Sequence, residues 1–337
     1  MFRKKGAGDW KLSVEHAEKV PSLPIIGHAL RNDLQTGPSN RPSIFAQEQA
    51  VESREWDSKQ RSVLAVRWNA DGNYCLSCGK DSTIKLWNPF KSMCVALFSG
   101  HGRDVTDVDC AGDSEHFVSS SFDKQVLLWD VPNTAIVRRF RGHAGRVNCV
   151  KLNEEGTVAV SGSVDGTARI WDLRSRSYEP IQVLAEPSDT ITSVQISKTE
   201  IAVGSADGFV YRYDIVAGKL RRDYVASEVC SFMLADGCLL VQSQDGNLRL
   251  LDANGGSLLG TFAGHTVTEY RADCQMTLSK VYATCESGNV ICWDLVSQKT
   301  VGRIPVREGM PLSGFDIYKN GLVAAAGQKI FLRPILA

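Results

Sequence analysis

The chain holds 337 residues, 43% hydrophobic and 23% charged, with 38 basic and 38 acidic side chains and no formal net charge. That balance argues against non-specific binding to nucleic acid or to an anionic membrane. No apolar run approaches the length of a membrane-spanning helix.

Residues 1–48 read as a flexible extension. Pro21, Pro24, Pro38 and Pro42, with Gly27 and Gly37, break any long periodic pattern, and no heptad repeat is present. The first residues lack the apolar core of a signal peptide. Phe2 stands where N-myristoylation needs glycine. Residues 49–56 carry a different expectation. After Phe331 only six residues remain, too few for a fourth strand in a last sheet that would otherwise leave a ring open. We expect residues 49–56 to supply that strand.

The region that follows is organised on the stretch from Gly142-His143 to Trp171-Asp172. Three short apolar runs are separated there by Glu155-Gly156 and Asp165-Gly166. An acidic residue followed by glycine marks a tight turn, because glycine tolerates positive φ. The unit reads as antiparallel strands, too few to be stable alone. Copies recur at Trp87-Asn88, Trp129-Asp130, Trp171-Asp172, Tyr213-Asp214, Leu251-Asp252 and Trp293-Asp294, with a worn copy at Phe331. The steps are 42, 42, 42, 38, 42 and 38 residues. Gly100-His101, Gly142-His143 and Gly264-His265 each place the imidazole 28 residues before its tryptophan. A period near forty with Gly-His and Trp-Asp marks is the signature of WD-repeat blades. The predicted fold class is all-β: one seven-bladed WD-repeat β-propeller over residues 49–337, closed by an N-terminal strand. Blade 5 is expected to turn at Asp236-Gly237 and Asp245-Gly246, and blade 7 at Asn320-Gly321.

Ser, His and Asp at repeated spacing invite a hydrolase reading. Blade 2 carries His101, Ser119, Asp123 and Trp129; blade 3 carries His143, Ser161, Asp165 and Trp171. A set that recurs blade after blade, without a nucleophile elbow, is better explained as a chain of hydrogen bonds that satisfies buried indole and imidazole groups. Blade 1 keeps Ser77, Asp81 and Trp87 without a histidine, and blade 6 has Ser287 where aspartate is expected. Cys75-x-x-Cys78 lacks a second pair at zinc spacing, and residues three apart on a strand point to opposite faces. The ten cysteines are read as mostly buried thiols in a reduced compartment, cytoplasmic and nuclear; no Asn-x-Ser/Thr acceptor occurs. No metal, cofactor or enzymatic activity is expected.

A propeller's usual contact surface lies where the loops before first strands and after second strands emerge. Those loops carry Lys80, Arg103, Asp104, Phe122, Arg146, Val164, Ala206, Gln244 and Glu269. Phe122, just before a turn aspartate, is expected to be largely exposed, and exposed aromatics and arginines are typical anchors. Glu269 is aligned with Val105 and Val147, a carboxylate in place of an inward apolar residue. Arg138, Arg139 and Arg141 fall on the outer strand of blade 2, where charge guards an edge. With Arg146, Arg174, Arg176, Arg221 and Arg222 they could alternatively meet an acidic partner or RNA.

Several phrases are more specific than the repeat. DGNYCLSCGKDSTIKLWNP (71–89), RRFRGHAGRVN (138–148), NEEGTVAVSGS (153–163), SADGFVYRYD (205–214), LRLLDANGGSLLG (248–260) and GHTVTEYRADC (264–274) resemble the mitogen-activated protein kinase organizer family of WD-repeat scaffolds. The resemblance covers about residues 60–304 and departs at Ser287 and blade 7. It implies a non-catalytic scaffold that assembles kinase-cascade components, restrains the hypoxia response through a prolyl hydroxylase, or associates with the spliceosome. On that basis the expected partners are proteins, kinase-cascade components or splicing factors, met by a monomer within larger assemblies, without direct nucleic-acid or membrane contact. A competing reading is a substrate receptor of a cullin-type ubiquitin ligase. Trp171-Asp172-Leu173-Arg174 matches the Trp-Asp-x-Arg pattern of such receptors, with Arg174 as the adaptor contact.

Overall fold

The computed structural model describes residues 51–225, 227–235, 237–267 and 272–335. The expectations for residues 1–48, Asp236 and Glu269 lie outside the described residues. Seven four-stranded antiparallel sheets are present. Blade 1 runs through strands Val63–Trp68, Cys75–Gly79, Thr83–Asn88 and Met93–Ser99; blade 2 through Val105–Cys110, His116–Ser121, Gln125–Asp130 and Ala135–Arg141. Blades 3 to 6 repeat the meander, and blade 6 opens on the short strand Cys274–Met276.

The tight turns explain the regularity. Gly166, Gly208, Gly246 and Gly288 follow their second strands at φ of 75°, 86°, 75° and 84°. Ser82 and Lys124 hold the same place in blades 1 and 2 at 64° and 69°, a strained conformation for a residue with a Cβ. Second strands such as Val158–Ser163 and Gly321–Ala326 are buried along their whole length. Both of their faces are covered by neighbouring blades, so they read as unbroken apolar runs.

Blade 7 shows how the ring closes. Its first three strands are Gly314–Tyr318, Gly321–Ala326 and Lys329–Pro334, and its outermost strand is Arg54–Asp57. Arg54 pairs with Leu332 and Trp56 with Ile330. The closing strand therefore lies at 54–57, later than the expected 49–56. Trp56 sets the register: its indole is buried and packs against Trp87 of blade 1 at 6.0 Å. Lys329 Nζ meets Glu55 Oε1 at 3.0 Å, and Arg333 donates to the Arg54 carbonyl at 2.9 Å.

First strands line a central channel of about 820 Å³. In five blades a bulge follows the first residue of this strand, between Val63 and Ala65, Val105 and Asp107, Val147 and Cys149, Ile191 and Ser193, and Val229 and Ser231. Neighbouring blades are stitched there by side chains reaching backbone. Thr106 donates to the Val147 carbonyl at 2.7 Å and Asn148 to that of Ile191 at 2.8 Å. Lower in the channel, Asp109 accepts from Leu152 N at 2.8 Å, Gln275 from Ile317 N at 3.1 Å, and Asp316 from Trp68 N at 2.7 Å.

Candidate interaction face

The face is positioned from beneath by relays of side-chain hydrogen bonds. In blade 3 the Trp171 indole donates to Ser161 Oγ at 2.9 Å, Ser161 Oγ lies 2.8 Å from His143 Nε2, and His143 Nδ1 lies 3.0 Å from Asp165 Oδ2. Blade 2 repeats this with Trp129, Ser119, His101 and Asp123 at 2.8, 2.7 and 2.9 Å. With a neutral imidazole protonated on Nδ1, each donor faces one acceptor along the chain. Burial depresses the His143 pKa, and the opposing pull of Asp165 does not restore it. Burial also opposes ionisation of Asp165, but hydrogen bonds from His143 and Thr167 outweigh it and hold the carboxyl well below its usual range. Ser161 and Ser119 are fully buried, so neither hydroxyl can reach a substrate as a nucleophile.

Each relay ties separate loops together. Asp123 Oδ2 also accepts from Gly102 N at 2.9 Å, and Asp165 Oδ2 from Ala144 N at 2.8 Å. Blade 1 contains a relay that sequence reading missed. Trp87 donates to Ser77 Oγ at 2.9 Å, Ser77 to Gln60 Oε1 at 2.7 Å, and Gln60 Nε2 to the Thr83 carbonyl at 2.9 Å. An amide here does the work of an imidazole, with its donor and acceptor on opposite sides. Blade 4 improvises with Tyr213 on Glu186 at 2.8 Å and Tyr211 on Asp207 at 2.7 Å. In blade 6, Ala283 takes the serine's place. The Trp293 indole turns to the Ala263 carbonyl at 3.0 Å, and His265 Nε2 to Gln242 of blade 5 at 2.9 Å. His265 Nδ1 is buried without a partner, and burial lowers this histidine's pKa.

A second repeated bond sets the face itself. The residue after each second strand donates its N–H to the carbonyl just before the first strand: Lys80 to Ser62, Phe122 to Asp104, Val164 to Arg146, Ala206 to Thr190 and Gln244 to Glu228, at 2.9 to 3.0 Å. Glu286 to Thr266 at 3.1 Å is the blade 6 equivalent. Thr266 thus corresponds to Asp104, and buried Val267, not Glu269, takes the place of Val105. The alignment of Glu269 with Val105 and Val147 is corrected accordingly: it assumed an uninterrupted count from Gly264-His265. Asp273 is the counterpart of Asp107, since each accepts from the next residue's N–H. Five residues separate Val267 from Asp273, where one separates Val105 from Asp107.

Lys80, Arg103 and Arg146 are exposed on this face, whereas Asp104, Val164 and Gln244 are half-buried. Gln244 Oε1 accepts from Cys230 Sγ at 3.1 Å. Phe122 is half-buried, not largely exposed, because the Arg146 guanidinium covers its ring at 4.8 Å and it lines the channel mouth. Cation over ring is a favourable arrangement. Arg174 lies at the other end of blade 3, exposed and 3.7 Å from Asp172.

Below the mouth sits a charge cluster that the sequence reading did not single out. Arg67 reaches Asp107 at 3.4 Å and Asp273 at 3.5 Å, and Lys151 reaches Asp109 at 2.8 Å. Burial opposes the Arg67 charge, but Asp107, Asp273 and Asp316 outweigh it and keep the guanidinium firmly protonated. Asp316 is pushed up by burial, with Arg67 pulling the other way. These groups neutralise one another across blades 1, 2, 6 and 7.

Known proteins carry the same architecture. The family described as WD domain, G-beta repeat matches residues 52–88, 92–130 and 134–172. WD repeat domain-containing protein 83 of Rattus norvegicus is 56% identical over 254 residues, 74% of this chain and 81% of that protein. The Homo sapiens protein of that name is 51% identical over 277 residues, 81% of this chain and 87% of its own length. An uncharacterized WD repeat-containing protein of Schizosaccharomyces pombe is 46% identical over 243 residues, 71% of this chain and 82% of that protein. With half or more of the residues identical along most of the length of its vertebrate relatives, this chain belongs to the WD repeat domain-containing protein 83 family.

Proposed function

We propose that the protein is a non-catalytic scaffold whose channel-mouth face binds partner proteins. The observation that carries this reading is a charge asymmetry around the mouth. Loops of blades 1 to 3 present exposed Arg61, Lys80, Arg103, Lys124 and Arg146 around Phe122. Two of the turn carboxylates among them, Asp123 and Asp165, are engaged by His101 and His143, while Asp104 is half-buried. The corresponding loops of blades 4 and 5 present Asp189, Glu228 and Asp245. An arc of cations beside an aromatic ring favours an acidic segment of a partner and orients it across the face. Resemblance to the kinase-organizer scaffolds suggests kinase-cascade components or splicing factors, met in cytoplasm and nucleus.

Affinity purification of the tagged full chain tests this. Phe122→Asp combined with Arg146→Glu should remove partners recovered with the wild type while leaving the melting temperature within a few degrees. Identical companions on the double variant would defeat the face. The ligase-receptor alternative draws on exposed Arg174 at the opposite end. Cullin adaptors recovered with the wild type and lost on Arg174→Ala would favour that alternative.

A further inference from the structure

The end of the propeller opposite the channel-mouth face carries a pocket of its own, between blades 1 and 2. Its residues come from loops joining first to second strands and third to fourth strands, which a meander places at the other end from the candidate face. The cavity measures about 380 Å³, at the small end of the roughly 300–1,000 Å³ typical of ligand pockets. That size suits one bulky side chain better than a helix. Leu76, Leu86 and Phe117 are buried among its lining residues, with Cys110 and Val131 half-buried and the ring of Tyr74 36% exposed.

The rim is acidic. Asp71, Asp113 and Glu115 are exposed around the opening, and no lysine or arginine is among the lining residues. His116 Nδ1 sits 2.8 Å from Asp113 Oδ2. Burial opposes the Asp113 charge, but the hydrogen bonds from His116 and from the Glu115 and His116 amides outweigh it and keep the carboxyl ionised. The walls are set by local bonds. Asn69 Oδ1 accepts from Asn73 N and Tyr74 N at 3.1 and 2.9 Å, and its Nδ2 crosses to Ser114 Oγ of blade 2 at 3.2 Å. At this same end, aromatic side chains cover the joint between blades 7 and 1. Trp68 packs there on Tyr318 at 6.3 Å, and Tyr318 presses so closely on Gly72 that a Cβ would overlap it. The blade 1–2 joint keeps its apolar floor open instead.

We infer that this pocket receives a bulky apolar side chain, aromatic or branched, from a partner protein segment with lysine or arginine on either side of it. The apolar floor selects the side chain by burying its surface. The ring of carboxylates selects the flanking cations, and no basic group on the rim opposes them. With the cationic arc at the opposite end, the propeller would hold an acidic segment at one end and a basic one at the other.

The test uses the full chain and three fluorescein-labelled peptides: Gly-Lys-Arg-Phe-Lys-Arg-Gly, its Phe-to-Ser version, and a version with glutamate replacing every lysine and arginine. Fluorescence anisotropy at 50 and 300 mM salt reads binding. The first peptide should bind at least tenfold tighter than either of the others and weaken at the higher salt. Asp113→Lys with Glu115→Lys should remove binding of the first peptide. Val131→Trp, which fills the opening without changing charge, should weaken it at least tenfold. Equal binding of the Phe and Ser peptides would reduce the site to surface charge and overturn the inference. So would absence of binding to the wild type, or full binding to folded Val131→Trp.

Discussion

Blades 3 and 6 begin from the same pair, a histidine after glycine and a tryptophan 28 residues on, and end in different states. Blade 3 has serine between them and aspartate beyond, so every polar atom of the relay has a partner inside the blade. Blade 6 has Ala283 and Ser287 at those two places. Its donors still find acceptors, but elsewhere: the indole on a backbone carbonyl, the imidazole on Gln242 of the neighbouring blade. What stays unpaired is an acceptor, His265 Nδ1. The difference teaches that the conserved geometry is the four-residue unit, not the histidine. When two members are missing, the histidine becomes an inter-blade contact.

The strongest way to break this comparison is to remove each imidazole. His143→Ala leaves Ser161 without its acceptor and Asp165 without its charge-assisted donor, in a buried space. A loss of about 2–4 kcal/mol in chemical denaturation is expected. His265→Ala removes one bond and relieves an unpaired nitrogen, so a loss about half as large is expected. Equal losses would mean that the relay adds nothing beyond packing against tryptophan, which both rings share at 6.3 and 5.4 Å.

Gln60 sharpens the comparison from the other side. If an amide completes the blade 1 relay, Gln60→Ala should cost about 1–3 kcal/mol, because Ser77 loses its acceptor while the Trp87 indole still leans on it. Gln60→Glu keeps an acceptor for Ser77 but loses the donor to Thr83, and should fall between the two. A neutral Gln60→Ala would return blade 1 to the incomplete state its sequence suggested.

Acidity separates the two blades by a smaller amount. Both histidines are bases whose folded pKa is depressed, by burial above all. The unfolded chain therefore takes up the proton first. Their contribution is undisturbed above about pH 6.5 and is lost as pH falls from there towards each folded pKa, by at most about 1.4 kcal/mol per pH unit for each histidine. Asp123 and Asp165 are depressed acids, so their contribution survives to lower pH and is lost only as pH falls below about 3.9. Denaturation between pH 7 and 5 should show the histidine loss, and His265→Gln should flatten it more than His143→Gln. Blade 6 offers its imidazole no carboxylate, whereas Asp165 partly offsets burial in blade 3. A flatter curve in His143→Gln would reverse that ranking.

The same contrast explains what could be read before the fold was known. The blade 2 and 3 relays were legible because four chemically distinct residues recur at rigid spacing, and turns such as Asp165-Gly166 fix the register between them. Gln60 escaped because it mimics histidine only in three dimensions and stands 27, not 28, residues before Trp87. Ring closure was legible from a missing strand, but its position was not. Burial of Trp56 against Trp87 places the strand, and that partner is far away in sequence. Glu269 was misaligned because counting from Gly264-His265 ignores extra residues before Asp273. The Arg67 cluster was invisible for a related reason. Its members sit on blades 1, 2, 6 and 7 and meet only when the ring is shut.

The finest test tries to give blade 6 the member it lacks. Ser287 occupies the turn position that Asp165 holds in blade 3, six residues before the tryptophan, and Gly288 keeps the same left-handed turn as Gly166. Ser287→Asp should therefore aim a carboxylate at His265 Nδ1, as Asp165 is aimed at His143. Nε2 already faces Gln242 Oε1, an acceptor, so the new pair favours a ring that donates from both nitrogens. The His265 pKa should then rise, the reverse of the direction burial imposes now. The gain in stability at pH 7 should be small, about 0.5–1 kcal/mol, and should grow as pH falls towards 6. NMR titration of the His265 ring measures the first effect and denaturation at two pH values the second. A pKa that stays depressed would show that blade 6 no longer holds its histidine where an aspartate could reach it. In that case the two blades differ in backbone path, and side-chain identity is only a symptom of it.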